Sequence, residues 1–193
     1  QRLLEGFEVH ICPNVMPKFG VLNIEPTQSK IREIFLRRII QAKGLSRAAE
    51  LLSDIMMPTP SAVLLAMELL AKGCEGGSGI GELLAVDVGG ATTDVYSIAD
   101  GMPQQINTVY KGLPEPYAKR TVEGDIGMRY SAQGIVDAAG LPRLSALSGL
   151  SEERLIPLTA EVRAHPDMVP EEGGELEQLD FALASCAIEE AVR

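Results

Sequence analysis

The sequence contains no tryptophan, and aromatic residues make up only 4% of its 193 residues. Its three cysteines, Cys12, Cys74 and Cys186, are scattered, odd in number and without metal-ligand spacing. The two histidines, His10 and His165, are far apart, and no motif surrounds either of them. We therefore expect structural or surface roles for the histidines, and free thiols in a reducing compartment for the cysteines.

Long apolar runs and an excess of positive charge are also missing. No apolar stretch reaches the roughly 18 residues that a membrane span needs, and no signal peptide is visible. We therefore expect a cytoplasmic protein without a membrane partner. The formal net charge is -10, and the chain has no Lys/Arg cluster beyond Arg37-Arg38, which argues against a nucleic-acid partner. An anionic ligand would need local attraction from backbone N–H groups and a metal ion.

The remaining composition is that of an ordinary globular chain, 46% apolar and 23% charged. This length predicts one or two domains with a full core. We expect an N-terminal helical or mixed region over residues 1–75 and a second domain over residues 82–193. The chain begins without methionine and ends inside a helical pattern with no stop signal, so we expect the second domain to be truncated at its C-terminus.

Residues 83–99, LLAVDVGGATTDVYSIA, have the pattern of a hairpin with a ligand-binding turn. Apolar residues alternate on both sides, which predicts strands over residues 83–88 and 94–99. Gly89 and Gly90 let a backbone approach an anion, and consecutive N–H groups in such a turn form an anion-binding nest. Thr92 and Thr93 add hydroxyl donors.

Two carboxylates, Asp87 and Asp94, flank this turn. They cannot bind a phosphate directly, because all the groups are negative. They can hold a divalent metal through water, or orient a water molecule that attacks. The pattern therefore predicts a phosphate-and-magnesium loop. The alternative is an ordinary hairpin whose turn is rich in common turn-forming residues.

Helical periodicity predicts the other elements. A helix opening at Thr27 has an apolar stripe that predicts core packing; the stripe consists of Ile31, Ile34, Phe35, Leu36, Ile39 and Ile40. Gly44 should end this helix, Ser46 should cap a short second one, and a third is expected over residues 61–72. Residues 74–81, CEGGSGIG, precede a strand rather than a helix, so they predict a flexible connection and not a dinucleotide site.

After the hairpin, Asp100-Gly101 predicts a turn into a third strand over residues 104–110. Residues 111–119 should form a surface loop, because prolines punctuate them. A helix is expected over residues 126–139, followed by helical pieces near residues 143–147, 151–165 and 175–193.

The central loop resembles the second phosphate loop of the actin-like ATPase superfamily, which includes actins, sugar kinases and the large heat-shock chaperones. There an aspartate-glycine-glycine-glycine-threonine turn joins two strands. VEGDIGMR resembles the glycine-rich turn into a helix of the chaperones. With IREIF and MPTPSA upstream and ASCAIEEAVR downstream, residues 12–193 are similar to the GlmL/MutL family, accessory proteins of adenosylcobalamin-dependent glutamate mutase.

This resemblance implies an α/β fold of the ribonuclease-H-like type, a mixed sheet with antiparallel hairpin strands flanked by helices. It implies ATP and Mg²⁺ as cofactors, slow ATP hydrolysis, and a chaperone-like role in reactivating a mutase subunit. In the implied site, Asp87 orients magnesium-bound water, and Asp94 holds the loop or a water molecule. The phosphates are bound by the N–H groups of Gly89, Gly90 and Ala91 and by the hydroxyls of Thr92 and Thr93. Glu123, Gly124 and Asp125 approach the ribose or phosphate from the other side.

The sequence also departs from the superfamily pattern. It contains no first phosphate loop and no late glycine pair for adenosine, and Met57 stands where the chaperones carry an acidic residue. A non-hydrolysing scaffold that binds a mutase subunit and a sugar-kinase-like phosphotransferase therefore remain as alternatives. With half a cleft, we expect the fragment alone to be inactive.

Overall fold

The computed structural model describes residue 4 and residues 6–42, 57–101, 112–113 and 115–193. In this part of the chain the helices are α1 (Glu25–Ala42), α2 (Thr59–Lys72), α3 (Ala132–Ala139), α4 (Leu141–Ser148), α5 (Glu152–Ala164) and α6 (Glu175–Ala191). The strands are β1 (Gly73–Cys74), β2 (Gly77–Ser78), β3 (Leu83–Val88), β4 (Thr93–Ile98) and β5 (Ala118–Glu123). The α/β class is thereby confirmed. None of the helices described has the combined length and apolar character to cross a membrane.

The chain forms two compact units, residues 1–62 with 111–113, and residues 63–110 with 114–193. In the first unit, the helix expected from Thr27 is present as α1. The prediction that its apolar stripe packs in a core is wrong at Ile31 and Phe35, whose side chains are 61% and 47% exposed. The physical reason is that helical periodicity indicates an apolar stripe but not whether another element covers it.

Three predictions fall on residues outside the described ranges. These are the stop at Gly44, the short helix from Ser46 and the strand over residues 104–110.

Among its described residues, the second unit contains a three-stranded antiparallel sheet in the order β3-β4-β5. The two predicted hairpin strands are confirmed, with the second shifted by one residue. The third strand in the described part of the sheet is β5, which the sequence did not predict. The expected surface loop over residues 111–119 is wrong at its end, because Ala118 and Lys119 pair with Ile98 and Ser97.

Residues 74–81 are not merely a flexible connection. β1 and β2 pair as a short antiparallel hairpin, with Gly73 opposite Ser78. The chain around it is packed closely: a Cβ on Gly79 would lie 2.0 Å from the carbonyl oxygen of Ala71. Glycine is needed at position 79 because a side chain would not fit there, and not because the segment has to be flexible.

The core of the second unit lies among α3, α4, α5 and α6 and against the sheet. Its fully buried side chains include Ile135, Leu144, Leu155, Leu179 and Leu183. The helical pieces expected near residues 143–147, 151–165 and 175–193 are confirmed as α4, α5 and α6. The start of α5 follows from its cap, since the Ser151 side chain accepts a hydrogen bond from the Arg154 N–H.

The helix predicted over residues 126–139 begins only at Ala132. Backbone N–H groups of the residues before Ala132 donate to the hairpin turn instead of continuing the helix. The Met128 N–H donates to the Gly89 carbonyl at 2.9 Å, and the Arg129 N–H donates to the Gly90 carbonyl at 2.8 Å. Because these donors hold the hairpin turn, residues 126–131 form an irregular segment that joins the sheet to α3.

Candidate functional site

The turn between β3 and β4 is closed by one backbone hydrogen bond, from the Gly89 N–H to the Thr92 carbonyl at 2.9 Å. The Gly89 and Gly90 carbonyls accept from Met128 and Arg129, so the carbonyl side of the turn is held by the neighbouring segment. A Cβ on Gly89 would lie 2.9 Å from the Thr92 carbonyl oxygen. The glycine is therefore required by this close approach.

The opposite side of the turn carries three consecutive N–H groups. Among the described residues, those of Gly90, Ala91 and Thr92 donate no hydrogen bond. Ala91 is exposed, and Gly90 and Thr92 are partly so. Unpaired backbone donors at an accessible turn can bind an anion. The Gly89 N–H already donates within the turn. Of the three N–H groups that the sequence predicted as phosphate donors, those of Gly90 and Ala91 therefore remain.

The two flanking carboxylates lie on the same face of the sheet. Asp87 and Asp94 are direct partners in the β3–β4 register, and partners in an antiparallel pair project to the same side. Asp87 is exposed, whereas only 9% of Asp94 is exposed. Oδ1 of Asp94 lies 2.5 Å from Nη2 of Arg120 on β5. One carboxylate is thus open to solvent, and the other is buried and paired.

Thr93 lies on the other face, because it is the next residue along β4 from Asp94. Its side chain is fully buried, and its hydroxyl donates to the Ile126 carbonyl at 2.9 Å. This hydroxyl holds the irregular segment against the hairpin. Thr92, by contrast, lies in the turn with the three free N–H groups.

Glu123 is the last residue of β5, and Gly124 and Asp125 follow it; all three are exposed and lie at the same end of the sheet as the turn. Glu123 is the register partner of Thr93. The fold therefore brings together the two segments that the sequence singled out. Gly127 lies so close to the turn that a Cβ there would be 2.4 Å from the carbonyl carbon of Ala91.

Sequence reasoning missed Arg120 at this turn, and it quoted Gly127 and Arg129 only within the VEGDIGMR stretch, without predicting their contacts. The guanidinium of Arg129 makes two hydrogen bonds to the Asp180 carboxylate on α6, at 2.6 and 2.8 Å, and so ties the irregular segment to the helical core. The spacing of 51 residues between these two gives no local signal in the sequence.

Tyr96 is fully buried on the Asp87/Asp94 face. Burial raises the pKa of its hydroxyl, and the neighbouring Asp94 carboxylate raises it further. The residue is therefore a neutral phenol near pH 7.

Within the described ranges, no three His, Cys, Asp or Glu side chains are grouped to hold a metal ion. A cation at Asp87 would take most of its ligands from water or from a bound anion.

Two comparisons with known proteins agree on one family. A family model described as "MutL protein" matches residues 1–193. A protein named "Protein MutL" from Clostridium tetanomorphum is 44% identical over 194 residues, which cover 97% of this chain and 40% of that protein. The chain thus spans about two fifths of the length of this relative. No solved structure matches the chain significantly.

Proposed function

The chain belongs to the MutL protein family, and on that premise we propose that it carries a phosphate-binding loop of an actin-like ATPase domain. The observation that supports this proposal is the β3–β4 turn. Its free N–H groups at Gly90, Ala91 and Thr92 lie between two carboxylates that project to one face.

The residues present fit a magnesium-bound triphosphate. Gly90, Ala91 and Thr92 would donate their N–H groups to phosphate oxygens, and the Thr92 hydroxyl would add a further donor. Asp87 would hold Mg²⁺ through water, which agrees with its exposure to solvent. When bound, the metal ion would neutralise phosphate charge and polarise the bond to the terminal phosphoryl group.

The other predicted residues would support this loop. Thr93 would fix the turn against residues 126–131, since its hydroxyl is committed to Ile126. Asp94 would belong to the supporting structure through its ion pair. Glu123, Gly124 and Asp125, exposed at the same end of the sheet, would approach the nucleotide from the side opposite the hairpin.

We further propose that the whole protein is an ATP-dependent accessory factor of an adenosylcobalamin-dependent mutase. The family membership and the resemblance to accessory proteins of glutamate mutase support this role. In such a factor, slow hydrolysis would be coupled to movement of domains and to exchange of damaged cofactor from a mutase subunit. The ribonuclease-H-like fold belongs to the same proposal, and the antiparallel β3-β4-β5 arrangement is compatible with it.

The test is binding of Mg-ATP to the whole protein, measured by titration calorimetry together with phosphate release. We expect saturable binding and slow turnover. Asp87→Ala should reduce turnover by at least about a hundredfold, since metal-assisted charge stabilisation contributes several kcal/mol. Asp100→Asn, which removes an exposed carboxylate at the far end of the hairpin, is the matched control and should leave turnover unchanged.

Two results would contradict the proposal. Absence of any heat with Mg-ATP would indicate a scaffold that does not bind nucleotide. Normal turnover in the Asp87→Ala variant, with unchanged circular dichroism, would remove Asp87 from the site. Phosphorylation of an added small hydroxyl compound would instead indicate a phosphotransferase of the sugar-kinase type.

A further inference from the structure

We propose that Arg120 is a positioning residue that keeps Asp94 from binding the metal ion, so that Asp87 alone serves the hydrated cation. This inference rests on the proposed function, because it concerns the metal ion at the same loop. It assigns a role to a residue that neither the motif nor the family match singles out.

The sheet register supplies the geometry. Arg120 is the partner of Tyr96 across β4 and β5, and Asp94 lies two residues from Tyr96 on the same face. The guanidinium reaches diagonally toward the end of the hairpin, where its Nη2 lies 2.5 Å from Oδ1 of Asp94. This places the arginine beside the supporting carboxylate rather than at the tip of the turn.

Burial makes the ion pair necessary. The Asp94 side chain is only 12% exposed, and in the described ranges the ion pair to Oδ1 of its carboxylate comes from the Arg120 guanidinium. An ionised carboxylate taken out of water needs an opposite charge or it becomes costly to keep charged. Arg120, with a side chain 33% exposed, supplies that charge while it remains in contact with solvent.

The two carboxylates therefore differ in their capacity to bind a cation. Asp87 is exposed and makes no ion pair within the described part of the chain. Without Arg120, the face would present two unpaired carboxylates directly opposite one another, about 5 Å apart between their Cβ atoms. Such a pair attracts a divalent cation even without nucleotide, because carboxylate oxygens are hard ligands and their repulsion is relieved by the metal.

The consequence is a metal site that depends on the nucleotide. With Asp94 neutralised, Asp87 alone binds a hydrated cation weakly, and the phosphates must supply the other ligands. The site then does not fill with free cation between cycles of nucleotide binding. Arg120 causes this dependence of metal binding on nucleotide through its positive charge. Arg120→Lys should therefore preserve the dependence, and Arg120→Gln should abolish it.

The experiment measures Mn²⁺ binding to the whole, nucleotide-free protein from the loss of the free-ion signal in electron paramagnetic resonance. Arg120→Gln should tighten Mn²⁺ binding by about tenfold or more, because a nearby positive charge is removed and a second carboxylate becomes free. Arg120→Lys should stay within about twofold of the wild type, since it keeps the charge. Adding Asp94→Asn to Arg120→Gln should cancel the gain.

A second variant keeps the test decisive if Arg120→Gln fails to fold. Asp94→Asn alone releases the Arg120 guanidinium from its partner, and the uncompensated positive charge should weaken Mn²⁺ binding at Asp87. A change of opposite sign in the two single variants is therefore expected. An unchanged Mn²⁺ affinity in either folded variant, or a gain that survives in the double variant, would overturn the role of Arg120.

The two proposals can fail separately. If Mg-ATP binds and depends on Asp87 while Arg120→Gln leaves Mn²⁺ affinity unchanged, only the inference about Arg120 is lost. If the Mn²⁺ affinities change as expected while Mg-ATP does not bind, the carboxylate arrangement stands and the phosphate-binding function is lost.

Discussion

At the scale of single residues, Gly127 illustrates how the turn is held in shape. A Cβ at this position would lie 2.4 Å from the carbonyl carbon of Ala91, which is backbone and cannot rotate away. We predict that Gly127→Ala lowers the free energy of unfolding by about 1–3 kcal/mol, the usual cost of forcing extra volume into a packed site. Because the displaced atoms belong to the turn, Mg-ATP affinity of the whole protein should fall as well.

Gly124→Ala is the matched control for this prediction. It lies in the same segment, and a Cβ there would meet no atom within 4 Å. Chemical denaturation should therefore show wild-type stability for Gly124→Ala. Equal behaviour of the two alanine variants would contradict the close approach of Gly127 to Ala91.

The residue scale also shows what the sequence could and could not predict of the site. The sequence could predict that Asp87, Gly90 and Thr92 lie together, because their spacing is local and the turn that carries them is continuous in the chain. The contacts of Arg120 with Asp94 and of Gly127 with Ala91 were not predicted, because the partners are more than 25 residues apart in the chain and only the tertiary fold brings them together. No periodicity or motif marks such a contact.

At the scale of secondary-structure elements, an ion pair joins α4 to α6. Arg143 donates from Nε to Glu189 at 3.3 Å and from Nη2 to the other carboxylate oxygen. The side-chain hydrogen bond from Arg143 lowers the pKa of Glu189 below its usual 4.5. A carboxyl group with a lowered pKa in the folded state stabilises the fold above its unfolded pKa, and this contribution is lost as the pH falls through the folded value.

We therefore predict a pH-dependent difference between the wild type and Glu189→Gln. The wild type should be the more stable at pH 7, and the difference should vanish as the pH falls below 4.5 and through the lowered pKa. The effect should be small, since both side chains are exposed and solvent screens them. Glu172→Gln, which changes an exposed glutamate in a turn, should show no such pH dependence in thermal unfolding.

Elements were predicted well where their own sequence determines them. α5 begins at a capping serine and α6 has a continuous helical pattern, so both were found. β5 was missed because most of its residues are exposed, which removes the alternation of apolar and polar residues that marks a half-buried strand. The start of α3 was placed too early because the N–H groups of residues 128 and 129 donate to the hairpin, a tertiary contact that overrides helical propensity.

At the scale of the whole molecule, burial is unevenly distributed between the two compact units. Apolar side chains in the described part of the first unit are largely exposed, with Phe7 at 74% and Phe19 at 102%. The fully buried cluster lies in the second unit, which also carries the turn. Helical spacing alone predicted a core for α1 as well, because periodicity indicates an apolar stripe but not whether another element covers it.

The stability of the second unit should therefore depend on α6, whose side chains reach both the helical cluster and the sheet. Leu183 is fully buried, so we predict that Leu183→Ala lowers the free energy of unfolding by about 2–5 kcal/mol through lost burial and the cavity left behind. Phe181 lies two residues away and is 62% exposed. Phe181→Ala should change stability by only about 0.5 kcal/mol despite removing the larger side chain. Urea denaturation followed by circular dichroism measures both, and a larger loss for Phe181→Ala would mean that α6 packs through its opposite face.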